Sequence, residues 1–403
     1  LVSFEYPLYT GYGGIASYMS DVAEMFTAHG HLVTVFCAGP ADEVLDPSNR
    51  LRICVTRTLD KDEFANLIMP AFRREHATTP FDVVEAAEIY GDARSVKKEF
   101  PKLPLVVKLH TPSFLLHRLD DGGSISFFKK LRFALGALRR GKLRWLKPDR
   151  SVLALREKHE SWCYLKADIV TSPSRSLIGI AEQHWGNREN GIRWLPNPYL
   201  LPPLYPVRRS ACETLTGAYL GRLEKRKGFL VLVEALRLLE QEGRPLPFVF
   251  IGHPHPCPGR SITMQEWALR RLKQHNLYRF TGHVPRQQVA AELAQVDFVV
   301  LPSIWENFPY ACLEAMAQEK IVLGSSRGGM SDMIHDGIDG FLLARADDPR
   351  AIADDMKMLC NTYSASTAMR SAARKKVAAA FSLGSIYFHH LAVYRDAIAG
   401  VPK

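Results

Sequence analysis

The chain has 403 residues, of which 47% are hydrophobic and 23% charged, a composition typical of folded globular proteins that excludes wholesale disorder. Its formal net charge of +10 favours an anionic partner, such as a phosphorylated ligand, a nucleic acid or a membrane surface. Because 403 residues exceed the size of one ordinary hydrophobic core, we expect two domains.

The cysteines and the apolar runs indicate a cytoplasmic protein. The seven cysteines are scattered and include no C-x-x-C pair, so neither a disulfide framework nor a zinc site is expected. No apolar run reaches the length of about 18 residues that predicts a transmembrane helix. The opening LVSFEYP lacks the basic and apolar regions of a signal peptide.

Strands and helices alternate in the first half of the chain. LVSF predicts a short buried strand, and the next stretch, GIASYMSDVAEMFTAHG, predicts a helix with one apolar face that ends at Gly30. Further strands are predicted at LVTVFCA, FDVVEAA, LPLVVKLH and ADIVTSPS. Strands that alternate with helices predict a parallel sheet covered on both faces.

A proline-rich stretch separates this half from a second array. Residues 196–206, PNPYLLPPLYP, hold five prolines in eleven positions, which excludes a central strand and predicts an interdomain linker. Strands then recur at TGAYLG, PFVFIGH, YRFTGHV, DFVVLPS and KIVLGSS. We predict an α/β fold of two Rossmann-like, doubly wound domains that face a central cleft, residues 1–199 and 200–383. A terminal helix over residues 384–403 is expected to pack back on the first domain.

A glycine-rich turn, TGYGGIASY, opens the first predicted helix. Gly13 and Gly14 leave no side chain between the backbone N–H groups and a ligand, so a phosphate site is predicted, with a plain strand-to-helix turn as the structural alternative. Gly11, Gly13 and Ala16 also match the dinucleotide pattern G-x-G-x-x-A. A nicotinamide site is disfavoured because PLYT precedes the glycines and no acidic residue ends the second strand, VFCAGP.

Two cations follow the first strand of the second array, in GRLEKRKG. Arg222 and Lys227 leave a strand end and approach a helix start, where two positive charges neutralise a diphosphate. The structural alternative is a solvated basic turn.

Paired carboxylates, Glu306 and Glu314, mark the segment ENFPYACLEAMA. Such a pair serves acid/base chemistry, a metal site or the binding of a sugar nucleotide. Pro309 suits the first helical position, which leaves Asn307 or Phe308 as the N-cap and Glu306 in the loop. Glu314 then lies inside the helix on the face toward the cleft, so we infer different roles for the two carboxylates. The backbone N–H groups at the helix start are available to an anion or a sugar hydroxyl.

These motifs together carry a family resemblance. They are GYGG, VVKLH with His110, TSPS, LPNP, GRLEKRKG, ENFPYACLEAMA and RGGMSDMIHDGIDGFLL. Over nearly its whole length the chain resembles the retaining glycosyltransferases of the GT-B fold, in particular glycosyltransferase family 4 (glycosyl transferases group 1). The combination of GRLxxxKG with the E-x7-E spacing from Glu306 to Glu314 is the specific part of the resemblance.

The resemblance implies a role for each matching residue. Glu314 would bind the ribose hydroxyls of a nucleoside-diphosphate sugar, and Glu306 the hydroxyls of the transferred sugar. Arg222 and Lys227 would hold the diphosphate, and His110 would lie beside the reacting centre; with Glu306 these form the catalytic set. The remaining donor contacts map to Gly13, Gly14, Gly282, His283, Val284, Asn307, Phe308, Pro309 and Tyr310.

The resemblance also implies a reaction. It is the transfer of a sugar with retention of configuration, by front-face attack at the anomeric carbon, with no metal and no cofactor besides the nucleotide sugar. A UDP-sugar is the first expectation and a GDP-sugar the next, with a glycan, lipid-linked or small-molecule acceptor in bacterial polysaccharide or glycoconjugate biosynthesis. Two departures leave the donor sugar open: Asn307-Phe308 stands where the family often has Gly-Phe, and Asn197-Pro198 where Asn-Gly is common.

Other function classes stay open at this point. A sugar-nucleotide epimerase of the same fold or a glycogen-synthase-like polymerase would share these motifs. A two-lobed sugar-binding protein is disfavoured because it would carry an export signal and no diphosphate clamp.

A basic segment, residues 122–148, holds eight Lys or Arg and no acid, with apolar residues at roughly helical spacing. It predicts peripheral contact with an anionic inner membrane face or a lipid-diphosphate acceptor, against the alternative of a solvated helix face. Nucleic acid is not an expected partner because no nucleic-acid-binding motif appears. The loop GHPHPCPG is not expected to bind metal, and Glu85 and Glu88 are expected to be structural rather than acceptor contacts.

Overall fold

A computed structural model describes residues 1–10, 13–119, 151–205 and 214–400. The basic segment 122–148, Gly11 of the glycine turn and the end of the predicted linker lie outside these residues. Within the described ranges no helix is both long and apolar enough to span a bilayer.

The first half builds a mainly parallel sheet around the N-terminal segment. Val2 forms bridges to Phe36 on one side and Ala86 on the other, so the predicted LVSF strand is central although only one of its residues has bridge partners. On one side lie β1, β3 and β2 in that order, and on the other β4 to β7 in sequence order. The bounds are β1 Val33–Gly39, β2 Glu43–Ser48, β3 Leu51–Arg57, β4 Val84–Ala87, β5 Leu105–Lys108, β6 Ile169–Ser172 and β7 Arg193–Trp194.

The hairpin of β2 and β3 was not expected from the sequence. It is the antiparallel part of the sheet, and β2 is an edge strand whose residues are mostly exposed and include Pro47. A solvated edge strand tolerates proline and charge, so it lacks the apolar pattern by which the buried strands were recognised.

Helices cover this sheet. The first one begins at Gly14 directly after the glycine turn, and Gly30, with a φ of +91°, follows its end as predicted. The α-helices of this half are Gly14–Ala28, Phe64–Leu67, Met69–Thr78, Arg94–Glu99, Ser113–Leu119, Ser151–Lys166 and Arg175–Trp185, with a 3-10 turn at Ile89–Gly91.

The second half is a doubly wound sheet of six parallel strands. Its order is β10-β9-β8-β11-β12-β13, so the chain reverses direction across the sheet between β8 and β11. Ligands of such sheets bind outside the carboxyl ends of the strands at this switch point. The bounds are β8 Gly217–Leu220, β9 Phe248–Ile251, β10 Tyr278–Gly282, β11 Phe298–Leu301, β12 Ile321–Ser325 and β13 Phe341–Leu343.

The helices of the second half alternate with these strands and then continue to the C-terminus. The α-helices are Phe229–Gln241, Met264–Arg271, Arg286–Leu293, Tyr310–Ala317, Met330–Met333, Pro349–Thr362, Thr367–Ala380 and Leu383–Ala399. The 3-10 turns are Lys225–Lys227, His275–Leu277 and Tyr363–Ser366.

The last helix, Leu383–Ala399, packs on the first domain. Its His390 and Tyr394 contact Glu85 in β4, with His390 Nε2 2.6 Å and Tyr394 Oη 2.7 Å from Glu85 Oε2. Tyr18 of the first helix donates to the other carboxylate oxygen. Burial would raise the pKa of Glu85, but His390 and these hydroxyls outweigh it and lower the pKa to about 2. Glu85 is therefore an ionised, buried anchor for the last helix.

Candidate active site

Two loops meet at the switch point of the second sheet. Gly221–Gly228 follows β8, and Pro302–Pro309 follows β11. Gly228 has a φ of +76°, and a Cβ on it would lie 1.9 Å from the carbonyl oxygen of Pro302. Only glycine fits this approach, which explains the glycine at the end of GRLEKRKG in structural terms.

Lys227 and Glu306 form an ion pair between these two loops. Glu306 is buried, and Ser303 Oγ donates to the same carboxylate oxygen at 3.1 Å. Burial alone would raise the pKa of Glu306, but Lys227 and Arg226 outweigh it and the pKa is lowered. The carboxylate is therefore ionised at neutral pH, and the contacts of Lys227 and Ser303 are both made through Oε1.

Arg222, the other predicted diphosphate cation, contacts a different carboxylate. Its side chain is half exposed and lies 3.3 Å from Glu224 Oε1, and its backbone carbonyl accepts from Tyr219 Oη at 2.7 Å. Arg222 also acts across the cleft: burial raises the pKa of Glu5 in the first domain, and Lys61 and Arg222 partly offset that rise. The two predicted cations thus pair with different carboxylates, Glu224 and Glu306.

The glycine turn of the first domain faces the E-x7-E segment. A Cβ on Gly14 would lie 3.9 Å from the ring of Tyr310, and one on Gly13 would lie 3.4 Å from Glu5 Oε2. The N-terminus of the first helix therefore lies next to the start of the Tyr310–Ala317 helix.

Glu314 lies on the Tyr310–Ala317 helix and is partly exposed. Burial raises its pKa from the ordinary 4.5 to about 7, with Arg286 lowering and Asp21 raising it. Arg286 lies 5.3 Å from the ring centre of Tyr310 and binds Asp21 of the first helix through both carboxylate oxygens, at 2.9 and 2.7 Å. Arg286 is thus an interdomain cation close to Glu314 that sequence reasoning missed.

His110 follows β5 and is buried. Its backbone N–H donates to Glu88 Oε2 at 2.8 Å, and its ring packs edge-on against Tyr18 at 5.1 Å. In the part of the chain that the structure describes, no hydrogen-bond partner reaches His110 Nε2. Burial and the nearby Lys108 lower the pKa of His110 to about 3, so the imidazole is neutral at physiological pH.

The residues between the two glutamates divide by side-chain direction. Asn307 contacts the first domain, where its Nδ2 donates to the carbonyl of His110 and its Oδ1 accepts from Ser174 Oγ at 2.6 Å. Phe308 packs against Phe381 with ring centres 5.5 Å apart. Both side chains are therefore engaged in contacts within the protein.

The Tyr310–Ala317 helix begins one residue later than expected. Pro309 occupies the N-cap rather than the first helical position, with extended backbone dihedrals. Tyr310 is buried and donates to the carbonyl of Pro198 in the linker at 3.2 Å. The linker thereby touches the start of this helix, which places the helix N-terminus at the junction of the two domains.

The predicted base-contacting stretch begins at the last residue of β10. Gly282 has a φ of +72° and forms a bridge to Gly252, His283 is exposed, and Val284 is partly buried. Arg286 begins the next helix. Like the Lys227–Glu306 pair, these residues lie at the carboxyl ends of the strands. The strand β10 is two strands away from β8, where the switch point begins.

Two other predictions concern residues outside this site. Glu85 serves as the buried anchor of the last helix, and Glu88 is fully buried beneath His110. In the GHPHPCPG loop, the rings of His253 and His255 lie 5.9 Å apart. Among the described residues, no three His, Cys, Asp or Glu side chains converge as a metal site would require.

The sequence matches two family models, one in each half. Residues 12–199 match the model described as Glycosyltransferase Family 4, and residues 213–376 match Glycosyl transferases group 1.

Curated relatives match parts of the chain. It is 26% identical to a glycogen synthase of Mycobacterium tuberculosis over 254 residues, which span 60% of this chain and 57% of the relative. It is 31% identical to a lipopolysaccharide 1,2-N-acetylglucosaminetransferase of Salmonella typhimurium over 142 residues, 34% of this chain and 37% of the relative. The chain thus spans about half the length, or less, of such relatives.

Solved structures match nearly the whole chain. Sucrose-phosphate synthase from Thermosynechococcus elongatus gives a TM-score of 0.73 at 19% identity, covering 99% of this chain and 96% of the other. Anabaena HepE in complex with UDP-glucose gives a TM-score of 0.68 at 17% identity, with 98% of each chain covered. At these identities the likeness concerns the fold.

Proposed function

The chain belongs to the group 1 glycosyl transferases and is a glycosyltransferase of the GT-B fold, and from this premise we propose that it moves a sugar from a nucleoside-diphosphate sugar with retention of configuration. The observation that carries the proposal is the ion pair of Lys227 with the buried Glu306 at the switch point of the second sheet. It places a cation suited to a diphosphate beside a carboxylate that can accept from sugar hydroxyls.

The diphosphate would lie between the two domains. On one side it meets Lys227 and Arg222, and on the other the backbone N–H groups at Gly13 and Gly14. These groups stabilise the charge that builds on the leaving diphosphate, and in our proposal they do so without a divalent metal.

The sugar and the ribose would bind at the two ends of the E-x7-E segment. Glu306 accepts from sugar hydroxyls, and the neutral imidazole of His110 supplies a hydrogen-bonding group whose Nε2 is available at the reacting centre. Glu314 accepts from the ribose hydroxyls once it is ionised, and the stretch Gly282–Val284 meets the base.

For the donor we propose candidate bases, and for the acceptor only its chemical class. UDP is the first candidate base, in keeping with the UDP-glucose complex of the structurally similar HepE, and GDP is the next. The acceptor would be a glycan, a lipid-linked glycan or a small molecule in polysaccharide or glycoconjugate synthesis, as in the lipopolysaccharide transferase relative. Residues 122–148 would give peripheral contact with an anionic membrane, and flotation of the protein with anionic vesicles tests this; absence of binding at low salt would contradict it.

A second candidate is an enzyme that extends a glucan chain. It is favoured by the 26% identity to a glycogen synthase over 254 residues. Analysis of products formed on a glucan primer separates the two: a ladder of longer chains supports polymerisation, and a single added sugar supports simple transfer.

A thermal-shift screen over UDP, GDP, ADP and TDP, each with its sugars, tests the proposal. A ligand at about 100 times its Kd stabilises the folded state by roughly 2.7 kcal/mol, which raises the melting temperature measurably. The bound donor is then incubated with acceptors, and the anomeric configuration of the product is read by NMR. No shift with any of the four diphosphates, or a product of inverted configuration, would contradict the proposal.

A further inference from the structure

The side chain of Asn307 makes its hydrogen bonds to the opposite domain. Its Oδ1 accepts from Ser174 Oγ at 2.6 Å, and its Nδ2 donates to the carbonyls of Leu109, at 3.3 Å, and His110. Asn307 is 6% exposed and Ser174 is fully buried. Both N–H groups and the carbonyl oxygen of the amide therefore have partners in the first domain, and little capacity is left for a donor substrate.

These bonds hold the backbone of His110 from one side while a second group holds it from the other. The carbonyl of His110 accepts from Asn307, and its N–H donates to Glu88 Oε2 at 2.8 Å. The position of the buried imidazole is therefore fixed by one residue of its own domain and one residue of the donor-binding domain.

The same loop fixes Glu306. Glu306 directly precedes Asn307 in the chain. Lys227 pairs with its carboxylate, and its backbone carbonyl accepts from Gly329 N at 2.8 Å. A Cβ on Gly329 would lie 1.7 Å from the carbonyl oxygen of Asn307 and 2.6 Å from Ser174 Cβ. A residue with a side chain would therefore clash at this position.

A neighbouring ion pair closes the junction. Arg175, the residue after Ser174, binds Asp332 through its backbone N–H at 2.9 Å and its guanidinium at 3.0 Å. Asp332 lies three residues after Gly329, so two consecutive residues of the first domain are held by the second domain at this point. The junction is a specific, hydrogen-bonded contact within the cleft and not only an apolar packing surface.

We propose that Asn307 is a positioning residue that sets the register between Glu306 and His110 when the two domains come together. The proposal rests on the proposed function, since Glu306 and His110 flank the transferred sugar only in that reading. Asn307 acts through these two residues: its removal loosens the His110 backbone while the diphosphate groups and the ribose carboxylate stay in place. Turnover should therefore fall with little change in nucleotide affinity.

Replacement of the amide tests this directly. We expect Asn307→Gly to lower kcat by a factor of about 10 to 100, because misplacement of a reacting group by about 1 Å costs that much. The Kd for the nucleoside diphosphate should change by less than about twofold. Ser174→Ala should lower kcat in the same direction, and the double variant should be no slower than Asn307→Gly, because both remove one interaction. Asn190→Gly, at an exposed loop residue, is the matched control.

Amide hydrogen exchange gives a readout that needs no substrate. Peptides over residues 105–112 should exchange faster in Asn307→Gly than in the wild type, while peptides over 84–87 stay unchanged. If Asn307→Gly unfolds, Ser174→Ala carries the same test, since it removes one of the same bonds.

The outcomes separate the two proposals. A wild-type protein that binds no nucleoside diphosphate contradicts the proposed function, and the exchange experiment then still decides whether Asn307 holds the His110 loop. If the wild type transfers sugar and Asn307→Gly keeps its kcat within about twofold, the inference is overturned. Equal losses of affinity and kcat, or unchanged exchange over 105–112, overturn it as well.

Discussion

Glu314→Gln is expected to stabilise the free protein and to weaken its binding of a nucleoside diphosphate. Burial raises the pKa of Glu314 from 4.5 to about 7. Below pH 4.5 the carboxyl is protonated in both the folded and the unfolded state, so it has no effect on the pH dependence of stability. Between pH 4.5 and 7 the unfolded carboxyl ionises first, so stability falls as pH rises, and above pH 7 the full cost is present.

The size of this cost follows from the pKa. At about 1.4 kcal/mol per pKa unit, the ionised side chain destabilises the fold by at most about 3 kcal/mol above pH 7. Because Glu314 is partly exposed, solvent screening reduces this, and we expect Glu314→Gln to gain about 1 kcal/mol at pH 8. That gain corresponds to roughly 2 °C in melting temperature. At pH 4 the variant and the wild type should melt together.

Nucleotide binding should change in the opposite direction. An ionised carboxylate accepts from both ribose hydroxyls, and hydrogen bonds to a charged group are about twice as strong as neutral ones. The neutral amide should therefore bind the nucleoside diphosphate at least about tenfold more weakly at pH 8, which corresponds to 1.4 kcal/mol.

Differential scanning fluorimetry and calorimetric titration at pH 4 and pH 8 measure both effects, with Glu189→Gln, at an exposed loop residue, as the control. Equal melting temperatures of Glu314→Gln and the wild type at pH 8 would refute the burial argument. An unchanged affinity would refute the ribose role.

Further predictions concern the interdomain contacts. Gly329→Ala places a Cβ 1.7 Å from the carbonyl oxygen of Asn307 and should lower the free energy of unfolding in urea by about 2 kcal/mol. The control Gly384→Ala, whose Cβ meets no atom within 4 Å, should be neutral or stabilising. Equal effects of the two substitutions would contradict the packing around Gly329. Arg286→Ala leaves Asp21 buried without its ion-pair partner and should cost about 3 kcal/mol, and adding Asp21→Asn should restore part of this. A double variant less stable than Arg286→Ala would show that the pair is not coupled.

Much of the fold could be predicted from the sequence because the buried strands are short apolar runs between helices. The strands β4 to β6 and β8 to β12 lie within the predicted stretches, and the six-stranded sheet has the doubly wound order. The strands β2, β3, β7 and β13 were missed. Few residues of β2, β7 and β13 are buried, whereas β3 is largely buried and was not predicted. Their formation depends on pairing with neighbours and not on a local pattern.

The structure brings several of the predicted site residues together, through contacts that the sequence did not predict. Lys227 and Glu306 were assigned to separate parts of a donor, and the structure brings them into one ion pair. The contacts of Asn307 with Ser174 and His110 join residues more than 130 positions apart in different domains. Such partners are set by how the two domains pack, and a single sequence carries no local signal for them. A hydrogen-bonding side chain where the family often has glycine was the available hint.

The most direct test of the account is calorimetric titration of a nucleoside diphosphate into the wild type, Lys227→Ala and the control Lys375→Ala, which removes an exposed lysine far along the chain. The Lys227 ammonium makes a charge-assisted contact to the diphosphate in this account, worth about 1.5 to 3 kcal/mol. We therefore expect Lys227→Ala to bind at least about tenfold more weakly, with Lys375→Ala equal to the wild type. Unchanged affinity in Lys227→Ala would contradict a diphosphate site at the Lys227–Glu306 pair.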